Sequence, residues 1–190
     1  MNDFFDEQTF EKVDFTQTKI AKGEYDNCVF INCNFEQIHA SNIQFLECEF
    51  INCNFSNTIV TNTSFKDVVF KNCKMIGVKF HECATFLLSF QFNNCQLSFA
   101  SFYNLKIPFT NFKDCNLESA DFSEANLTSA VFENCNLQKA VFENTILEKA
   151  NLSTAYNYNI QPDKNKLKSA IFSKQHIEGL LLNYQIKLVE

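Results

Sequence analysis

Large apolar residues fall on every fifth position of this chain. The positions divisible by five read Phe5, Phe10, Phe15, Ile20, Tyr25, Phe30, Phe35, Ala40, Phe45, Phe50, Phe55, Val60, Phe65, Phe70, Met75 and Phe80. The beat then slips by two residues, resumes at Phe92 and runs through Leu97, Phe102, Ile107 and Phe112 to Leu152. An amphipathic helix needs apolar residues at mixed spacings of three and four, and a half-buried strand needs spacing two. A strict five over ~150 residues matches neither, and it predicts a solenoid of stacked repeats.

Two places before the beat residue stands a small one: Cys28, Cys33, Cys48, Cys53 and Cys73, and later Ala120, Ala125, Ala130 and Cys135. Side chains two apart on an extended strand share a face. Each five-residue unit therefore turns one small and one large apolar side chain inward, leaves two in water and makes a corner with the fifth. Asn, Asp, Ser and Thr crowd the outer and corner sites, as turn formation favours. A second period counts the sides. The pentamer Ile-Asn-Cys-Asn-Phe at 31–35 recurs unchanged at 51–55, and Ile20, Ala40 and Val60 interrupt the aromatic beat at twenty-residue intervals. Cys33, Cys53 and Cys73 are spaced by twenty, as are Cys95, Cys115 and Cys135. Four sides thus complete a coil and like stacks on like. Some seven coils at ~4.8 Å predict a rod of roughly 35 Å.

In Ala120-Asp121-Phe122, Ala125-Asn126-Leu127 and Ala150-Asn151-Leu152 the chain resembles the pentapeptide repeat family, whose consensus is Ala-(Asp/Asn)-Leu-x-x. The resemblance covers about residues 3–155 and the unit Ser169-Ala170-Ile171-Phe172. It implies an all-β fold, a right-handed quadrilateral parallel β-helix. Such repeats define the core and say little about activity.

Two segments leave the beat. Around 81–91, twelve residues separate Phe80 from Phe92 where ten would suffice, which predicts a two-residue bulge at a corner or a partner-binding loop. The polar stretch 156–166 keeps the phase, since Leu167 and Phe172 still fall on the beat, and reads as a decorated final coil. The solenoid is expected over 1–172 and a C-terminal cap over 173–190. In that cap Ser173 can begin a helix, and Ile177, Leu180, Leu181 and Tyr184 form one apolar stripe. Such a helix would close the open end of the solenoid. Gln185-Ile186-Lys187-Leu188-Val189 reads as a short alternating strand beyond it.

The net charge of -6 and the complete absence of Arg weigh against direct nucleic-acid binding, which needs cations on phosphates and bidentate donors on guanine. Residues 1–91 carry 12 acids against 7 Lys, whereas residues 153–190 carry 3 against 5. The chain opens on acids where a signal peptide carries Lys, and no apolar run is long enough to span a bilayer. A soluble, cytoplasmic protein is expected.

The nine cysteines fall on the small inward sites, where a free thiol serves as well as Ala. No Cys-x-x-Cys pair suggests a zinc site. His39, His81 and His176 are scattered, with no neighbouring Ser, Cys or carboxylate arranged as a nucleophile would require. Three Gly leave no phosphate-binding loop. The sequence offers no catalytic residues, no metal ligands and no cofactor site; a non-enzymatic protein is expected.

The outward positions carry more. The side centred on Phe5, Tyr25, Phe45 and Phe65 displays Asp6, Glu7, Glu24, Asp26, Glu47 and Asp67 against Lys66 alone, while the adjacent side displays Lys19, Lys22 and Lys79. This is either a solvated charged face or an electronegative strip that docks on a basic surface. Val29, Ile31, Ile51 and Val69 on the next side suit stacked β-branched contacts. The family resemblance extends to its quinolone-resistance members of the Qnr and MfpA type. It implies a rod that binds a type II topoisomerase, DNA gyrase or topoisomerase IV, as a mimic of duplex DNA. It further implies a homodimer formed through the C-terminal helix, here Ile177, Leu181, Tyr184 and Ile186. The long projecting loops of many Qnr members are missing from this sequence. The alternative is a scaffold or adaptor with another protein partner.

Overall fold

Most inward aromatic residues have another large apolar residue one coil on, and the chain folds so that these meet. The computed structural model describes residues 3–184 and 186. The strands of its first half are β1 (Asp3–Asp6), β2 (Thr9–Glu11), β3 (Gly23–Asp26), β4 (Val29–Ile31), β5 (Gln44–Leu46), β6 (Glu49–Ile51), β7 (Ser64–Lys66) and β8 (Val68–Lys71). Those of the second half are β9 (Phe90–Asn93), β10 (Asn111–Lys113), β11 (Val131–Glu133), β12 (Asn151–Leu152) and β13 (Ile171–Phe172). All pair in parallel. One sheet runs β1-β3-β5-β7 along the first side of the rod, and a nine-stranded sheet from β2 to β13 runs along the second. Sides three and four are stitched by isolated bridges, such as Asn34 with Asn54 and Asp121 with Val141. The result is a parallel β-solenoid of about eight turns, one more than the repeat count suggests. Eight inter-strand steps give a length of about 38 Å.

The register is the sequence period made physical. Phe10, Phe30 and Phe50 are direct ladder partners, as are Phe50 and Phe70. Their rings stack nearly parallel: Phe50 lies 4.7 Å from Phe30 and 5.1 Å from Phe70. It also meets Phe45 and Phe55 edge-on, at interplanar angles of 80° and 84°. Stacking along a side and edge-to-face contact between sides are both favourable geometries for aromatic quadrupoles, so one residue type tiles the core. From Ile20 to Leu152 the beat residues are buried.

The small inward position also makes a bond. Cys53 Sγ donates to the Phe30 carbonyl of the preceding coil at 3.4 Å, and Cys48 Sγ donates to the Tyr25 carbonyl at 3.2 Å. Thr58, Thr63 and Thr145 place their hydroxyls on the equivalent carbonyls at 2.6, 2.7 and 2.9 Å. Cys, Thr and Ala all occur there because the site is narrow, and a thiol or hydroxyl finds carbonyl acceptors both in the preceding coil and two residues back, as Cys53 does at Phe30 and Ile51. All nine cysteines are free and buried.

The corners are residues with positive φ, most often Asn, whose short amide tolerates the left-handed region. Most of them turn the chain while the N–H still bonds to the next coil, as Asn27 does to the Leu46 carbonyl at 2.9 Å. Amide side chains then ladder between coils: Asn52 donates to Asn32 at 3.2 Å and Asn94 to Asn72 at 2.9 Å.

Three local expectations are corrected. The phase shift lies on the first side and not at a corner. There the chain leaves its ladder after the Ala84 N–H bonds to Thr63, and rejoins it when the Ser89 N–H bonds to Phe65. The two extra residues arch outward as a turn at Phe86 and Leu87, Leu88 packs partly inward, and Phe90 fills the core. Second, 156–166 is less polar than it reads, because Tyr158 and Ile160 are buried. Third, the expected C-terminal helix is present but has 3-10 geometry, over Lys174–Leu180 and Leu182–Tyr184, and Ser173 makes no side-chain capping bond. The strand expected at Gln185–Val189 lies outside the described residues, Ile186 excepted.

Two outcomes follow from this core. Phe50→Ala should lower unfolding free energy by about 3–5 kcal/mol in urea titrations, since its ring is fully buried and touched on four sides. Burial pushes the Cys48 thiol from 9.0 up to about 12, and the Tyr25 phenol from 10.0 up to about 12. A pKa raised by folding means the folded state holds its protons longer than the unfolded chain. The contribution of these two groups to stability is therefore flat below pH 9.0 and falls as pH rises from there toward about 12, which thermal melts at stepped alkaline pH will register.

Candidate functional site

Parallel stacking on the first side carries the outward acids of successive coils into columns. Asp6 lies directly against Asp26, and Glu24 stands between Phe4 and Gln44. Glu7, Asn27, Glu47 and Asp67 form the corner column, all with positive φ and joined through N–H bonds such as Glu47 to the Lys66 carbonyl at 2.8 Å. Asp6, Glu7, Glu47 and Asp67 are exposed; Glu24 and Asp26 are half-buried along the strands. None of the six pairs with a cation among the described residues, whereas the second side ties Lys71 to Glu49 and Lys113 to Glu133 across coils. The structure thus brings these six carboxylates together on one face. Their neighbour Lys66 is drawn away, with its Nζ 5.7 Å from the centre of the Phe86 ring.

Phe86 and Leu87 end the acidic columns and were not recognised in the sequence as surface residues. They are 72% and 64% exposed. In the next coil Phe109, at a corner with φ 62°, is 72% exposed as well. A signal was present: corners want Asn-like side chains, and Leu87, Phe99 and Phe109 break that rule.

The same side continues past this apolar ridge. Its bridges step from Lys106 to Asn126, Ile146 and Lys166, and the Lys149 N–H bonds to the Lys168 carbonyl. Lys106, Lys149, Lys166 and Lys168 are exposed. On the second side Val29, Ile31, Ile51 and Val69 are half-buried, with Ile31 directly beside Ile51.

One histidine departs from the expectation of isolation. His81 Nδ1 lies 2.9 Å from Ser101 Oγ, because the residues sit diagonally across the phase shift. Ser101 Oγ also accepts the Tyr103 N–H at 3.4 Å, and no carboxylate hydrogen-bonds His81 among the described residues. His176 Nδ1 stands 3.9 Å from Glu178. Among the described residues no group of His, Cys, Asp or Glu is arranged to hold a metal ion, and no helix is long and apolar enough to cross a membrane.

At the C-terminus the four residues expected to pair two copies do not share one stripe. Three residues per turn puts Leu181 and Tyr184, four and seven residues on, about a third of a turn away from Ile177. Ile177, Tyr184 and Ile186 are 39%, 50% and 55% exposed, while Leu181 is half-buried and Leu180 packs on the core. The Tyr184 hydroxyl donates to Asp163 at 3.2 Å. Gly179, which weakens a helix by propensity, is the docking point: a Cβ there would lie 2.5 Å from the Tyr158 ring and carbonyl, and its own carbonyl accepts the Ile160 N–H.

A four-sided solenoid with a five-residue unit is the architecture of pentapeptide repeats. The model of the pentapeptide repeat region matches residues 23–91 and 87–179, most of the chain, and the protein belongs to the pentapeptide repeat family. Among solved structures it is similar to QnrB1, a plasmid-mediated fluoroquinolone resistance protein, in a trypsin-treated form. That match has a TM-score of 0.77 at 15% identity, covering 99% of this chain and 92% of that one. A second trypsin-treated QnrB1 gives 0.64 at 14% identity, over 98% and 100%. HetL, a pentapeptide repeat protein involved in heterocyst differentiation regulation from the cyanobacterium Nostoc sp. strain PCC 7120, gives 0.47 at 14% identity, over 90% and 88%. At these identities the likeness is one of fold. No curated protein sequence matches at a significant level.

Because Gly179 seats the cap, Gly179→Ala should detach the 174–184 segment without unfolding the coils. Limited proteolysis should cut there in the variant at protease levels that leave the native protein whole.

Proposed function

We propose that this protein is a non-catalytic binding protein whose acidic first side docks on the DNA-binding surface of a type II topoisomerase, DNA gyrase or topoisomerase IV. The observation that carries this reading is the density of uncompensated charge. Six carboxylates stand on four coils, three steps or about 14 Å, which is one per ~2.4 Å of axis. Duplex DNA carries one charge per ~1.7 Å counting both strands. Lys and Arg that hold phosphates would meet a similar field on this side. The fold likeness to QnrB1 supports the same reading, and through it a quinolone-resistance-like role.

A scaffold or adaptor role with another partner is favoured by one feature, the apolar ridge at Phe86 and Leu87. A duplex has no counterpart for it, and it fits an apolar socket on a protein.

The triple variant Glu24→Lys, Asp26→Lys, Glu47→Lys tests the first reading. None of the three side chains lies in the core, so its melting should stay close to that of the native protein. It should lose inhibition of gyrase supercoiling, and binding by the native protein should weaken with salt, because screening shortens to ~8 Å at physiological ionic strength. A native protein that neither binds nor inhibits gyrase or topoisomerase IV at micromolar concentration defeats the topoisomerase reading and leaves the adaptor.

A further inference from the structure

The first side is electrically polar along the rod. Its first four coils carry Asp6, Asp26, Glu47 and Asp67, and its last coils carry Lys149, Lys166 and Lys168, all on columns shared through backbone bonds. Between these ends, at the middle of the rod, lie the exposed Phe86, Leu87 and Phe109. A surface that is negative at one end, apolar in the middle and positive at the other is complementary to itself turned end for end.

We infer that this side is a self-association surface, on which a second copy of the chain packs face to face and antiparallel about a two-fold axis near Phe86. That axis lies in the interface, across the rod, so each outward column faces its own counterpart. Asp6 then comes opposite Lys168, and the Phe4 column brings Lys166 to the same end. Asn27 comes opposite Lys149. Asp26 meets Glu148, a like-charge contact that the neighbouring Lys149 offsets. The arches at Phe86 and Leu87 meet each other on the axis and are buried there, while Phe109, one coil away, falls opposite Asp67.

The contact is modest in size. A side about 13 Å across, four extended residues, and about 38 Å long offers roughly 500 Å² per copy. The total of ~1,000 Å² is at the lower edge of specific interfaces. Association is therefore micromolar and salt-sensitive. The dimer covers the acidic strip, so self-association and docking on a basic partner exclude one another. This inference rests on the face itself and not on the topoisomerase reading.

Sedimentation of the full chain alone, without any topoisomerase, tests it. The native protein should dimerise at micromolar concentration in low salt and dissociate as salt is raised. Phe86→Asp with Leu87→Asp should weaken association roughly 30-fold, the scale of a central interface residue. Asp6→Lys should weaken it and Lys168→Asp in the same chain should restore it, a rescue that a folding defect cannot imitate. A monomer throughout, or a dimer broken by Ile177→Asp and indifferent to residues 86, 87, 6 and 168, overturns the inference. If the topoisomerase reading also holds, the double variant at 86 and 87 binds gyrase more tightly than the native protein; failure of that result alone counts against the topoisomerase reading and leaves the dimer standing.

Discussion

The structure depends on one constraint: each coil must close in register, in twenty residues everywhere but at the phase shift, so that every inward side chain lands on its equivalent in the next coil. An aromatic ring has its best neighbour in another ring about 5 Å away, and the inter-strand spacing supplies one. Phe30, Phe50, Phe70, Phe92, Phe112 and Phe132 form one such column, with adjacent rings between 4.7 and 5.3 Å apart. The backbone ladder and the side-chain stack therefore share a period and reinforce each other. Even the narrow site two residues before each ring takes part, through thiols and hydroxyls that reach the previous coil's carbonyl.

A core so regular leaves function to the outside. Inward residues are fixed by packing, corners by the left-handed backbone, and the remaining positions form flat sides on which residues of distant sequence become neighbours at strand spacing. Sides with cross-coil ion pairs, such as Lys113 with Glu133, neutralise themselves. The first side does not: most of its acids gather at one end, most of its lysines at the other, and the phase shift places an apolar arch between them. The two extra residues thus interrupt one sheet while leaving the nine-stranded sheet continuous.

Much of this was legible from residue order. The beat, the coil of twenty, the stacking of cysteines and the assembly of six acids on one side all depend only on counting, because a solenoid converts sequence distance directly into height. What was missed depends on local geometry that counting does not reach. The arch at Phe86 and Leu87 was expected at a corner, since the count gives the number of extra residues and not which ladder bond they replace. The cap was read as a helix and is one, but its turns are of the tighter 3-10 kind, which disperses the apolar stripe. His81 and Ser101 meet diagonally across the shift, where the simple columns no longer align.

The central claim is that one side of the rod is its working face, whether covered by a second copy or by a basic partner. Carboxyl footprinting with a carbodiimide, read by mass spectrometry, compares that face with the others in a single sample. On raising the protein concentration, or on adding gyrase, labelling of Asp6, Glu7, Glu47 and Asp67 should fall while that of Glu36 and Glu118 on the third side stays unchanged. Equal protection on all sides, or protection confined to the third, would contradict the account.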